Sequence, residues 1–236
     1  MTPLRITDGL HRWDGCSGQL PCAGSAVLFA RSIATALPAD LPEELVLSVL
    51  DGCGAPALTD RLLRRRGPGT SVCVLGAAGR SGSLCLAAAR RAGAGRVVAL
   101  VPHETQARAV RAAGLADEVV IADARSPVAV AETVQPPVDV TVVCVDVGGC
   151  EHGAILATAA GGTVVFFSMT TSFTAAALGA EGRAADVEML IGNGYTPGHA
   201  ELALSLVREQ PGLRGLLEEA HTGHRGNGQS GDTAQP

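Results

Sequence analysis

An apolar run, Val72 to Leu75, breaks into three glycines at spacing three, Gly76, Gly79 and Gly82, and gives way to the alanine-rich segment Leu84 to Arg91. A short buried strand, a tight turn and a helix read this way. Each glycine answers a separate demand. Gly76 takes the turn, Gly79 lets backbone come against a pyrophosphate, and Gly82 lets the helix pack close to the strand. The helix start then offers unpaired N–H groups and a positive dipole end to phosphate. Arg80 and Ser81 lie inside the loop, and Ser81 reads as a phosphate contact. The spacing G-x-x-G-x-x-G departs from the commoner G-x-G-x-x-G, so the strand before it and the helix after it are what make it a dinucleotide-binding signal.

Beyond the loop, strand and helix patterns alternate. Strands are expected at Arg96–Val101, Glu118–Ile121, Val138–Val147, Gly162–Met169 and Val187–Ile191, with helices at Glu104–Ala113, Pro127–Val134 and Glu151–Ala160. Parallel neighbours need crossover helices, so the alternation predicts an α/β fold: a doubly wound parallel sheet of Rossmann type, its ligand crevice at the carboxyl ends of the strands. Ahead of the loop, residues 1–24 show no helical period and read as irregular. Ser25–Ala30 reads as a strand, and helices are expected at Glu43–Leu50 and Ala57–Arg66, interrupted by Cys53 to Pro56. Pro197–Arg208 and Leu213–Ala220 read as helices. The Gly, Ser, Gln and Thr of 221–236 mark a disordered tail.

The chain has 236 residues, 47% hydrophobic against 17% charged, which is ample for a core that Ala, Val and Leu must fill because aromatics make up 3%. No apolar run is long enough for a membrane span, and the first ten residues lack the pattern of a signal peptide, so a cytoplasmic chain is expected. A net charge of −5 argues against nucleic-acid binding, and the basic cluster Arg64 to Arg66 is too short to reverse it. The seven cysteines (16, 22, 53, 73, 85, 144 and 150) form no C-x-x-C pair and read as reduced core thiols. The histidines show no metal-ligand spacing, and no G-x-S-x-G elbow is present, so a bound cofactor is expected to carry the chemistry and no metal is expected.

An acid near the end of the second strand would accept from a ribose 2′-hydroxyl and repel a 2′-phosphate. Here that strand ends Val101-Pro102-His103, with Glu104 one step past the tip. The reading therefore leans to NADP over NAD, with His103, Arg108 and Arg80 as 2′-phosphate partners. Val147, Ser168 and Met169 follow later strands and are expected beside the nicotinamide. Ser168, Thr171, Asn193 and Tyr195, the only tyrosine, are the candidate catalytic residues. No general base stands out among Glu44, Asp51 and Glu181.

Four stretches carry a resemblance: LDGCGAPAL (50–58), LGAAGRSG (75–82), FFSMTTSFTAAALGAEG (166–182) and DVEMLIGNGYTPGHAE (186–201). They resemble the L-erythro-3,5-diaminohexanoate dehydrogenase family, within the medium-chain dehydrogenase/reductase architecture, over about residues 19–215. The resemblance implies NAD(P)-dependent oxidative deamination of a diamino acid to 5-amino-3-oxohexanoate and ammonia. It also implies a catalytic domain ahead of the nucleotide-binding domain, of which residues 1–66 would hold the last portion and connecting helices, with the Rossmann domain at 67–220. By this resemblance the chain would act alone or with a partner chain supplying the missing wall of the cleft, and homodimers are common in this architecture. The alternatives are a zinc-independent quinone or enoyl reductase and an inactive NAD(P)-binding remnant.

Overall fold

The computed structural model describes residues 2–15 and 20–218; the expected tail at 221–236 and the last residues of the final helix lie outside them. The chain falls into two compact units, 1–37 and 38–236. In the first, β1 (Thr2–Ile6) pairs antiparallel with β2 (Gly24–Val27), and both strands are exposed along their length. The Asp8 carboxylate accepts from the amides of Leu10 and Ala23, joining the two halves of this unit. The expectation that residues 1–24 are irregular is therefore corrected: β1 carries no buried face, and so none of the alternation by which a strand is recognised.

The second unit holds a six-stranded sheet in the order β5-β4-β3-β6-β7-β8, parallel throughout. Its strands are β3 (Ser71–Leu75), β4 (Arg96–Val101), β5 (Glu118–Ile121), β6 (Val138–Val143), β7 (Thr158–Phe166) and β8 (Val187–Ile191). This is the doubly wound order, and its topological switch falls between β3 and β6. Side chains alternate between two cores. Val72, Val74, Val97 and Ala99 enter one with α1 (Glu43–Asp51), α2 (Gly54–Arg66), α3 (Arg80–Arg91), α4 (Glu104–Ala113) and α8 (His199–Glu209). Cys73, Leu75, Val98 and Leu100 enter the other with α5 (Pro127–Thr133), α6 (Glu151–Ala157) and α7 (Phe173–Gly182). Both faces are covered, which is why β3, β4 and β6 read as unbroken apolar runs. Residues 211–218 are helical.

Several boundaries differ from the sequence expectation: β7 runs Thr158–Phe166 where Gly162–Met169 is expected, and α6 ends correspondingly early, at Ala157. α2 begins at Gly54, because Pro56 sits in its first turn, where a missing N–H costs nothing. The fourth strand of the alternation, β6, stops at Val143, freeing Cys144 to Val147 as loop ahead of the positive-φ Gly149. Residues 173–182, to which the sequence pattern assigns no element, form α7, whose Ser172 side chain caps the start by accepting from the Ala175 amide. The unit also takes in residues 38–66, since α2 lies flat against α3.

Candidate functional site

The loops at the carboxyl ends of β3 to β8 form one cluster, and the glycine loop is its centre. Gly76 has φ +78°, a conformation open to glycine, and a Cβ there would stand 2.8 Å from the Cys144 carbonyl oxygen across the switch point. Its amide and that of Ala77 both donate to the Leu100 carbonyl, at 3.1 and 3.2 Å. Gly82 abuts the loop itself, whereas a Cβ on Gly79 would meet the Gly76 oxygen alone, at 3.3 Å, with open space around it. Gly79 is the N-cap of α3 and offers no side chain to the helix's leading amides. A cradle with an open glycine face, uncapped amides and a helix dipole behind it fits a diphosphate. Arg80 pairs with Asp51 at the end of α1, and Gly52 packs over the Ser81 hydroxyl. Of the three acids weighed as general bases, Asp51 is therefore the one beside the loop. Glu44 lies in the first turn of α1, and Glu181 at the far end of α7.

At the tip of β4, His103 is the N-cap of α4 and exposed, and Arg108 lies exposed in the second turn. Sequence reasoning missed what stands next to them. β5 runs beside β4, with the Ala122 amide donating to the Val101 carbonyl at 3.1 Å, and the chain then presents Asp123 and Arg125. Three hydrogen bonds from the Arg125 guanidinium, with its amide and the neighbouring His103 adding to them, hold the Asp123 carboxyl down at about 2. An acid and a base thus occupy the strand edge where the sequence showed no acid. The signal was the register of a parallel neighbour, which strand order supplies and linear spacing does not.

Past the switch point, Val147 is half exposed in the loop after β6. After β7, the Ser168 and Thr170 hydroxyls share a 2.6 Å hydrogen bond, the Thr171 amide donates to the Ser168 carbonyl, and Met169 is 96% exposed. The Glu151 carboxylate at the head of α6 accepts from the Ser172 amide at 2.6 Å and fixes this loop. After β8, Asn193 accepts from the Tyr195 amide, and the Tyr195 ring, 47% exposed, meets the His199 ring edge to face at 5.1 Å. Gly54 at the start of α2 is pressed against this turn: a Cβ on it would lie 2.3 Å from the Gly194 oxygen. The fold therefore gathers Ser168, Met169, Thr171, Asn193 and Tyr195 at the same end of the sheet as the glycine loop. His103 and Arg108 stand on the other side of β3, the separation that a dinucleotide lying across the switch point requires.

Among the described residues no group of three or more His, Cys, Asp and Glu converges on a metal position, and no helix is long and apolar enough to cross a membrane. Cys73 and Cys150 are buried thiols whose burial pushes them up to about 12 and about 11.

No protein-family model matches the chain. Its sequence is 47% identical, over 94% of its length, to a protein of Acetoanaerobium sticklandii, and 38% identical over the same share to one of Fusobacterium nucleatum. Both are L-erythro-3,5-diaminohexanoate dehydrogenases. The chain spans 65% of the length of either diaminohexanoate dehydrogenase. Among solved structures, AibC superposes with a TM-score of 0.58 at 25% identity, covering 76% of this chain and 52% of AibC. CurK enoyl reductase superposes at 0.55 and 19% identity, covering 86% of this chain and 56% of CurK. The quinone oxidoreductase of Thermus thermophilus, solved also with NADPH, superposes at 0.52 and 23%, covering 72% of this chain and 55% of its own. These last two share the fold alone. The chain therefore shares the doubly wound fold of these solved proteins, and the sequences it is similar to are diaminohexanoate dehydrogenases.

Proposed function

We propose that this chain is the nucleotide-binding part of an NAD(P)-dependent dehydrogenase that oxidatively deaminates a 3-amino acid of the 3,5-diaminohexanoate type. The observation that carries this reading is 47% identity to a diaminohexanoate dehydrogenase across 94% of the chain. In the balanced reaction, the substrate CH–NH3+ carbon, the oxidised nicotinamide and water give a ketone, ammonium, reduced nicotinamide and a proton. When bound, the cofactor supplies the hydride acceptor.

The protein's share is to bind, orient and manage protons. The amides at the head of α3 would hold the diphosphate, with Gly76, Gly79 and Gly82 leaving it room and Arg80 and Ser81 at its rim. Arg125 and His103 are the groups that would meet a 2′-phosphate, while Asp123 would accept from a 2′-hydroxyl; release of Arg125 from Asp123 favours NADP. Ser168 and Thr171 would orient the carboxamide end beside Val147 and Met169. Asn193 and Tyr195 would line the substrate side, Tyr195 placed to donate or accept a proton through its hydroxyl. Asp51, freed from Arg80 when a diphosphate takes that guanidinium, would hold the substrate ammonium.

Incubation with L-erythro-3,5-diaminohexanoate and NAD+ or NADP+ tests the reading: reduced nicotinamide and ammonia should accumulate in equal amounts. Reduced nicotinamide formed with a quinol or saturated acyl donor, and none with the diamino acid, would overturn it in favour of a quinone or enoyl reductase.

A further inference from the structure

The turn after β8 is held more tightly than an exposed loop requires. Gly192 donates its amide to the Phe166 carbonyl at 2.8 Å, and the Phe167 ring leaves no room for a Cβ on it. Gly194 and Gly198 have φ of +75° and +76°, a region that favours glycine. Gly54, at the start of α2, closes on Gly194 so nearly that it too can carry no side chain. Thr196 is buried, and its carbonyl accepts from the amide of His199, the first residue of α8, at 3.0 Å. Residues 192–199 are thus clamped by the end of β7, the head of α2 and the head of α8.

Out of this clamped turn stands Tyr195, about half of it exposed, so burial does not fix its ring. Two local contacts do. The Asn193 side-chain oxygen accepts from the Tyr195 amide at 3.2 Å, and the His199 imidazole meets the phenol ring with centroids 5.1 Å apart and planes at 71°. This is the edge-to-face arrangement in which aromatic rings attract. The contact restrains the ring and leaves the hydroxyl, which makes no hydrogen bond among the described residues, open to a ligand.

The turn is also tied to the glycine loop by a short route: Gly54 abuts Gly194, and Gly52, two residues earlier, packs over the Ser81 hydroxyl. Only the swing of the Tyr195 side chain is then left to be set relative to a cofactor held by that loop. We infer that His199 is a positioning residue for Tyr195, its imidazole fixing the direction of the phenol so that the hydroxyl meets the substrate beside the nicotinamide. The inference rests on the dehydrogenase reading and adds to it a residue that acts through Tyr195 alone.

Steady-state rates of the full chain with L-erythro-3,5-diaminohexanoate and NADP+ test it, alongside NMR of isotope-labelled tyrosine, which reports on Tyr195 alone because the chain has no other tyrosine. His199→Ala should lower kcat roughly tenfold or more, the scale of a misplaced reacting group, leave NADPH affinity unchanged, and move the Tyr195 ring signals towards those of free tyrosine. His199→Phe keeps an aromatic ring in place and should restore both the signals and most of the lost kcat. Tyr195→Phe should lower kcat as well, and His199→Ala added to it should cost nothing further, since residues that act as a unit lose their effect once. A loss in His199→Ala that His199→Phe does not restore, or that persists in full in the Tyr195→Phe background, would overturn the inference. Tyr195 signals unmoved by His199→Ala would overturn it whatever the rates, and would leave the dehydrogenase reading standing. A wild-type chain that turns over no diamino acid would overturn that reading and this inference with it.

Discussion

A Cβ on Gly82 would stand 2.2 Å from the carbonyl oxygen of Gly76, so the first turn of α3 rests directly on the loop that leads into it. Gly79, three residues earlier, has φ −72° and ψ 167°, an extended conformation that any residue adopts, and open space beyond it. The two glycines should therefore fail in opposite ways. Gly82→Ala should destabilise the fold, by about 1–3 kcal/mol if the helix shifts to relieve the overlap, as read from the urea midpoint. Gly79→Val should keep the wild-type midpoint and lose NADPH binding, as read by fluorescence titration. Unchanged NADPH affinity in Gly79→Val would refute the placement of the diphosphate.

Cofactor choice should turn on the edge of β5. Arg125→Ala is expected to weaken NADPH by roughly tenfold, as loss of one charged phosphate contact does, while NADH binding holds or improves because Asp123 is released to the ribose. Equal loss for both nucleotides in paired titrations would count against the assignment.

How much of this was legible in the sequence depends on what kind of signal each part carries. β3 and β4 sit between two cores, so burial wrote them as apolar runs, and the glycine loop between β3 and α3 followed from spacing. α7 was hidden because a run of hydroxyl residues, Thr170 to Ser172, leads into it and its body is mostly small residues, leaving no apolar stripe; the cap at Ser172 was its one signal. Asp123 and Arg125 were hidden for another reason. The rule for ribose recognition looks along the second strand, whereas the acid here comes from the neighbouring one, and strand order exists only after folding.

Asp139 ties the start of β6 to β3, its carboxylate accepting from the Ser71 amide at 2.7 Å and hydroxyl at 2.6 Å. The Ser71 hydroxyl and then the amide hold its carboxyl below the ordinary 3.8. A depressed carboxyl contributes stability that is present above its unfolded value and lost as pH falls through the folded one. Asp139→Ala should therefore cost about 1–3 kcal/mol at neutral pH, and the gap to wild type should close in urea titrations taken below pH 3.8. A gap that stays constant with pH would mean that the carboxylate charge plays no part.

Burial should also decide which thiols react. Cys22 is exposed, whereas Cys53, Cys73, Cys85 and Cys150 are buried. With Cys73 held at about 12 and Cys150 at about 11 by burial, iodoacetamide near neutral pH should label Cys22 and spare these four until the protein is unfolded. Peptide mass mapping would detect the reverse order, which would place those thiols outside the core.

The central claim is that a nicotinamide dinucleotide lies across the switch point between β3 and β6 with its diphosphate on the amides of Arg80, Ser81 and Gly82. A crystal structure of the chain with NADPH tests it most directly. The account predicts diphosphate oxygens about 3 Å from those amide nitrogens and the nicotinamide beside Ser168 and Met169. A nucleotide bound at any other face of the sheet would contradict it.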